Sequence, residues 1–139
     1  MDAALDTLLH LHRTTTRLVR EVDRSLGSTH GLGLSDLALL LELQAHEDGR
    51  MQRVALAERL GVTPSGVARQ LGPLERIGVV TRESHPKDAR LALAVLTPAG
   101  DTLATDAAVT ARRAAQSAFD GRWSSAEQSA LRDLLTGGG

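Results

Sequence analysis

The chain has 139 residues, 42% of them hydrophobic, and 16 Lys plus Arg against 17 Asp plus Glu give a net charge of −1. That length serves one hydrophobic core and argues against two independent domains. The absence of cysteine excludes disulfides, thiolate metal sites and thiol-based peroxide sensing. With one Phe, one Trp and no Tyr, the chain also lacks the rings of a single-strand stacking platform. Near-neutral charge means that any affinity for nucleic acid must come from a local patch.

The opening MDAALDTLLHLHR carries acidic residues and no long apolar stretch, so it does not read as a secretion signal. Nowhere do 18 uncharged apolar residues run together. A cytoplasmic protein with no membrane partner is expected.

In chain order, Leu5, Leu8, Leu11, Thr15, Leu18, Val22 and Leu26 recur at helical spacing, with Arg13, Arg17, Arg20 and Arg24 largely off that stripe. This predicts a long amphipathic helix over residues 3 to 26, broken by GSTHGLG at 27 to 33. Ser35 is the expected N-cap of a mostly apolar second helix, DLALLLELQAH, followed by an EDGR loop.

Residues 54 to 76, VALAERLGVTPSGVARQLGPLER, read as two short helices meeting at a tight turn. Ala57 is small enough for close approach, and Gly61 takes the positive φ that ends the first helix. Leu56, Leu60, Val62, Val67 and Leu71 are the expected shared core. If the second helix starts after Thr63, Ser65, Arg69, Gly72 and Arg76 share one face, and Val67, Leu71 and Leu74 the other. Pro73 removes a backbone donor, so a bend or local irregularity is expected there.

After Gly78 the pattern turns extended. VVTRE at 79 to 83 and LALAVLT at 91 to 97, joined by the polar SHPKDAR, predict a β-hairpin wing. Thr97-Pro98 opens a helix of about 20 residues, with apolar positions at Leu103, Ala107, Ala114, Ala118 and Phe119. Ser124 and Glu127 form a capping box for a last helix bearing Leu131, Leu134 and Leu135. The closing three glycines are expected to fray.

The segments LAERLGVTPSGVARQLGPLERIGVVTR (56 to 82) and HPKDARLALAVLTPAG (85 to 100), set between long terminal helices, resemble the MarR (multiple antibiotic resistance regulator) family. Asp88 and Arg90 match that family's Asp-x-Arg of the wing, and Leu96, Thr97 and Gly100 its following Leu-Thr-x-x-Gly. The resemblance covers essentially the whole chain. It implies a mostly α fold with a small β-hairpin wing: a winged helix-turn-helix lobe at 32–97, with dimerisation helices at 1–30 and 98–139. It further implies a homodimer that places two recognition helices in successive major grooves and two wings in flanking minor grooves of a pseudo-palindromic double-stranded DNA operator. The expected function is transcriptional regulation, as a repressor released by a small-molecule effector.

The residues suit that use. Arg69 offers a bidentate fork to guanine, Ser65 and Gln70 hydrogen-bond base edges or phosphates, and Thr63 meets a phosphate, with Pro64 and Gly66 in the same first turn. Arg76, Arg82 and Lys87 are expected on the DNA backbone, and Arg90 in a narrow minor groove, where negative potential is enhanced. The alternative for Arg90 is a hairpin salt bridge to Asp88 or Glu83. Effector walls are expected on the first, second and fifth helices, including His12, Arg13, Thr16 and Leu41, with aliphatic surfaces and an Arg or His partner.

No cofactor and no catalysis are expected: the serines fall at caps and no phosphate-binding loop occurs. Two further readings are a zinc-responsive regulator of the same fold and a winged-helix protein-interaction module. His10, His12, His30, His46 and His85 form no His-x-x-x-His pair, so no metal ligand is assigned. Arg69, Arg82, Lys87 and Arg90 favour DNA over a protein partner.

Overall fold

The leucine and alanine periodicities resolve into helices in the computed structural model, which describes residues 2–137. Helix α1 runs Ala3–His30, one turn beyond the expected break. Gly27 stays helical, and Gly31 closes the helix at φ 70°, its N–H donating to the Gly27 carbonyl. A glycine inside a helix costs about 1 kcal/mol. Here that is offset by anchors on both sides, Leu26 being fully buried and His30 Nε2 lying 2.8 Å from Thr110 Oγ1.

Helix α2, Leu34–Ala45, starts at Gly33 and not at Ser35. Two carboxylates decide this: Asp36 accepts the Gly33 N–H at 3.0 Å, and Asp23 of α1 accepts the Leu34 N–H at 2.7 Å. Ser35 is left exposed in the first turn. As its composition predicts, α2 is buried on most sides, through Leu37, Leu39, Leu40 and Leu43.

Next come β1 (Arg50–Gln52), α3 (Arg53–Leu60), α4 (Pro64–Arg76), β2 (Val80–His85) and β3 (Asp88–Leu96). The sheet has the order β1-β3-β2, with both pairings antiparallel. The expected hairpin is therefore the outer part of a three-stranded sheet, whose third strand comes from the end of the EDGR loop. Its linker shrinks to Pro86 and Lys87, because His85 and Asp88 already pair.

Helix α5, Pro98–Asp120, buries Ala104, Ala107, Ala111 and Ala118. Such small side chains let α1 and α2 pack close against it. Helix α6, Ser125–Gly137, begins at the expected capping box: the Ser124 hydroxyl accepts from the Glu127 amide at 3.2 Å, and the Glu127 carboxylate from the Ser124 amide at 2.9 Å. Of the three glycines expected to fray, Gly137 is instead the last residue of α6, and Gly138 and Gly139 fall outside the described residues.

One cluster of buried side chains joins Leu26 of α1, Leu40 of α2, Leu56 of α3, Val67 and Leu71 of α4, Val80 of β2 and Ala104 of α5. Outside it, Leu5, Leu8, Leu9 and Leu11 of α1 and Leu134 and Leu135 of α6 are exposed. No helix among the described residues is long and apolar enough to cross a membrane.

Candidate nucleic-acid interface

The α3–turn–α4 unit is built by its own local chemistry. Gly61, at φ 70° and ψ 30°, ends α3 with its N–H on the carbonyls of Ala57 and Glu58. Thr63 is extended, and its Oγ1 accepts from the Gly66 amide at 3.1 Å, while Pro64 fills the first helical position where no donor is needed. Ala57 is buried where the two helices meet, so a larger side chain would part them.

The predicted division of α4 holds. Val67, Leu71 and Leu74 are buried, while Ser65, Arg69 and Arg76 are exposed and Gly72 partly so. One detail differs from the sequence reading. Val62 is 48% exposed, because the αL turn at Gly61 swings it out of the shared core and leaves Leu56, Val67 and Leu71 to close it. The helix runs through Pro73 to Arg76 as read, with Gly72 and Pro73 on its outer, non-core face.

Charge on this face is distributed unequally. Arg69 and Arg76 make no ion pair or side-chain hydrogen bond among the described residues, and nor does the Lys87 ammonium at the wing turn. Arg82 is held by Glu75 of α4, Nη2 to Oε1 at 3.1 Å. Arg90 is 90% exposed, yet its Nε lies 3.1 Å from Asp88 Oδ1 and its own amide donates to the same oxygen at 3.0 Å. These bonds hold the Asp88 carboxyl below its usual range, the Arg90 side chain being the larger cause. Of the two readings weighed for Arg90, the hairpin pair with Asp88 is present, and the paired guanidinium stays exposed to solvent; Glu83 is engaged by Arg50 at 3.0 Å.

Gln70 stands apart from its neighbours. It is partly buried, and its Nε2 donates to Asp36 Oδ1 of α2 at 3.4 Å, so it faces the protein and not the side that carries Arg69. Only the partner on α2, 34 residues away in sequence, reveals this.

The expected effector walls separate. Leu41 does line an apolar cavity of about 470 Å³ with Leu18, Val22, Leu37, Phe119 and Arg112. His12 and Thr16 line a different, shallow groove with Arg20 and Asp23. Arg13 borders neither, because α1 is exposed at every position from 2 to 13, short of where α2 and α5 cover it. Among the described residues no three His, Cys, Asp or Glu side chains group to hold a metal ion.

A family model described as winged helix-turn-helix DNA-binding matches residues 34–81, which span α2 through the start of β2. Across the whole chain, the backbone superposes on a MarR family transcriptional regulator from Streptomyces coelicolor, Sco3205, solved in complex with DNA. The TM-score is 0.85 at 25% identity, covering 98% of this chain and 86% of that one. The chain has the fold of the MarR-family regulators. A probable transcriptional regulator from Pseudomonas aeruginosa gives a TM-score of 0.82 at 25% identity, covering 92% of each chain. A MarR family regulator from Rhodococcus sp. RHA1 gives 0.84 at 24% identity, covering 97% of this chain and 93% of that one. No curated protein sequence matches the chain. Of the ten residues expected on DNA, nine lie on α4 or the β2–β3 hairpin, and Thr63 caps α4.

Proposed function

We propose that the chain is a sequence-specific double-stranded DNA-binding transcriptional regulator that works as a homodimeric repressor and is released by a small-molecule effector. Its task is binding and not catalysis. The observation that carries this reading is Arg69, exposed and unpaired in the middle of a helix whose opposite face is locked in the core. A guanidinium so placed is preorganised for a guanine edge in a major groove. The DNA-bound Streptomyces coelicolor relative supports the same use of the fold.

Dimerisation rests on the exposed leucines of α1 and α6, with Leu8 60% and Leu134 74% exposed. Contiguous apolar surface of this kind marks an interaction site. On this reading residues 32–97 are the DNA-binding lobe and 1–30 and 98–139 the dimerisation helices, which set two recognition helices about 34 Å apart on a pseudo-palindromic operator. The effector site is the cavity among α1, α2 and α5, whose aliphatic walls and rim Arg112 suit an apolar molecule with an anionic group. A cytoplasmic location follows from the function.

Binding-site selection tests the central claim. The wild-type chain is expected to enrich a two-fold repeated site, and Arg69→Ala to lose about 1–3 kcal/mol on it while relaxing one base pair per half-site. Arg76→Ala should weaken all sequences alike. An unchanged consensus in Arg69→Ala removes that residue from base reading, and a particle of 14.7 kDa in light scattering refutes the dimer.

A further inference from the structure

One charged side chain near this face has no role in anything described so far. Arg53 is the first residue of α3, and its Nε and Nη2 are buried without a hydrogen-bond partner. A guanidinium stays charged at any physiological pH. Burying its donors unsatisfied opposes folding, and buried polar atoms in native proteins are paired in the great majority of cases. These two are the buried unpartnered side-chain atoms found among the described residues.

The surroundings say what is missing. Arg53 lines a cleft of about 390 Å³ together with Pro64 and Ser65 of the first turn of α4, and Arg90 and Leu91 of β3. No acidic residue lines that cleft. In the same turn of α4 Pro64 has no N–H, the Gly66 amide is taken by Thr63, and the Ser65 hydroxyl lies 3.2 Å from Thr63 Oγ1, which leaves the Ser65 amide as the donor of that turn without a partner among the described residues. Two guanidiniums, one free helix N-terminal amide and a lining without carboxylates describe an anion site, with Asp88 holding Arg90 from outside the cleft.

Its position selects the anion. The cleft separates the recognition helix from the wing, the elements that enter a major groove and the adjoining minor groove. Between two adjoining grooves runs a sugar-phosphate strand, so a duplex seated on both elements lays a phosphate across the cleft. We infer that Arg53 is a phosphate clamp, closed by the DNA backbone between recognition helix and wing, with Arg90 and Ser65 as its neighbours. The inference rests on the DNA-binding reading above and adds a contact that helix periodicity does not reveal, since Arg53 lies on neither α4 nor the hairpin.

A phosphate clamp has three measurable consequences, which Arg53→Met and Arg53→Lys separate using the duplex enriched by the wild-type chain. Arg53→Met should flatten the plot of log affinity against log salt by about 1.8 units per dimer, so that between 50 and 200 mM salt the wild type loses roughly 12-fold more affinity than the variant. The enriched sequence should not change, because phosphate contacts position and do not specify. The Tm of Arg53→Met should equal or exceed that of the wild type, since two enclosed donors without partners are removed, and Arg53→Lys should keep most of the salt slope. An unchanged slope with wild-type affinity in Arg53→Met overturns the assignment, as does a Tm fall with the slope intact, which marks a purely structural arginine. If the wild type itself enriches no sequence and shows no salt-dependent binding to any duplex, the DNA reading fails. If the wild type binds and Arg53→Met binds identically, only the clamp fails.

Discussion

Gly100→Ala is a small change that should unmake the joint between the DNA-reading face and α5. Alanine is normally the better helix residue, by about 1 kcal/mol. At Gly100, in the first turn of α5, a Cβ would overlap the backbone carbonyl oxygen of Val79 and stand 2.7 Å from Leu96 Cδ1. That carbonyl cannot easily retreat, because it accepts the Thr97 amide at 3.1 Å while the Thr97 hydroxyl donates to Gly78 at 2.7 Å. Overpacking a close-fitted site costs typically about 1–3 kcal/mol, and more against backbone. Net of the helix gain, a loss of at least about 2 kcal/mol is expected. At roughly 4 °C per kcal/mol for a chain of this size, the Tm should fall by about 8 °C or more.

Gly27→Ala is the matched control, also helical but with nothing within 4 Å of the added methyl, and it should gain up to about 1 kcal/mol. Circular dichroism melts at one fixed protein concentration would compare the two, since subunit association makes Tm concentration-dependent. A Gly100→Ala protein melting at or above the wild type would refute the claim that Gly100 holds α5 against the Gly78–Val79 turn.

Two other substitutions test roles assigned above. Gln70→Ala should leave the selected consensus unchanged and lower stability by about 1 kcal/mol or less, because its bond to the Asp36 carboxylate is long at 3.4 Å; a changed consensus in the selection assay would return Gln70 to base reading. Arg90→Ala should weaken operator binding and flatten the salt slope by up to about 2 units per dimer, with no fall in Tm, because its contact to Asp88 is solvent-exposed. Unchanged affinity and slope would leave Arg90 as a surface partner of Asp88 alone.

The elements that could be read in the sequence are those whose cause is local. Thr63-Pro64, Thr97-Pro98 and Ser124 with Glu127 place their helix starts as predicted, because each cap is satisfied within three residues. Where the partner is distant, local rules fail. Ser35 looks like a better cap than Gly33 until Asp23, a full element away, takes the Leu34 amide. Strand β1 is three residues long and exists because β3 supplies its hydrogen bonds, so no alternation announces it. The same divide runs through the site. Periodicity puts Arg69 on the open face of α4, but it cannot tell that Gln70 has a partner on α2, nor that two nitrogens of the partly exposed Arg53 are enclosed without one.

The same distinction bears on how a chain of net charge −1 presents a cationic face. Within residues 50–90 the arginines divide by partner: Arg50, Arg59, Arg82 and Arg90 are each engaged by a carboxylate, whereas Arg53, Arg69 and Arg76 make no ion pair among the described residues. In that segment eight basic residues meet four acidic ones, and the unpaired arginines lie on α4 and at the edge of its cleft with the wing, so a local excess of base makes the patch within a near-neutral chain. Arg82 is the informative intermediate, since reaching a phosphate requires it to leave Glu75. Exposed pairs of this kind are worth about 0–1 kcal/mol. Glu75→Gln removes that competitor, along with a negative charge that a duplex on α4 would face. It should therefore tighten binding to every sequence by up to about fivefold per subunit at low salt, the equivalent of about 1 kcal/mol, and the consensus should stay as it is. Fluorescence anisotropy on the selected duplex and on a scrambled one would measure both effects. Equal affinity on both duplexes before and after the change would mean that Arg82 never exchanges Glu75 for DNA and that the base of the wing stays clear of the backbone.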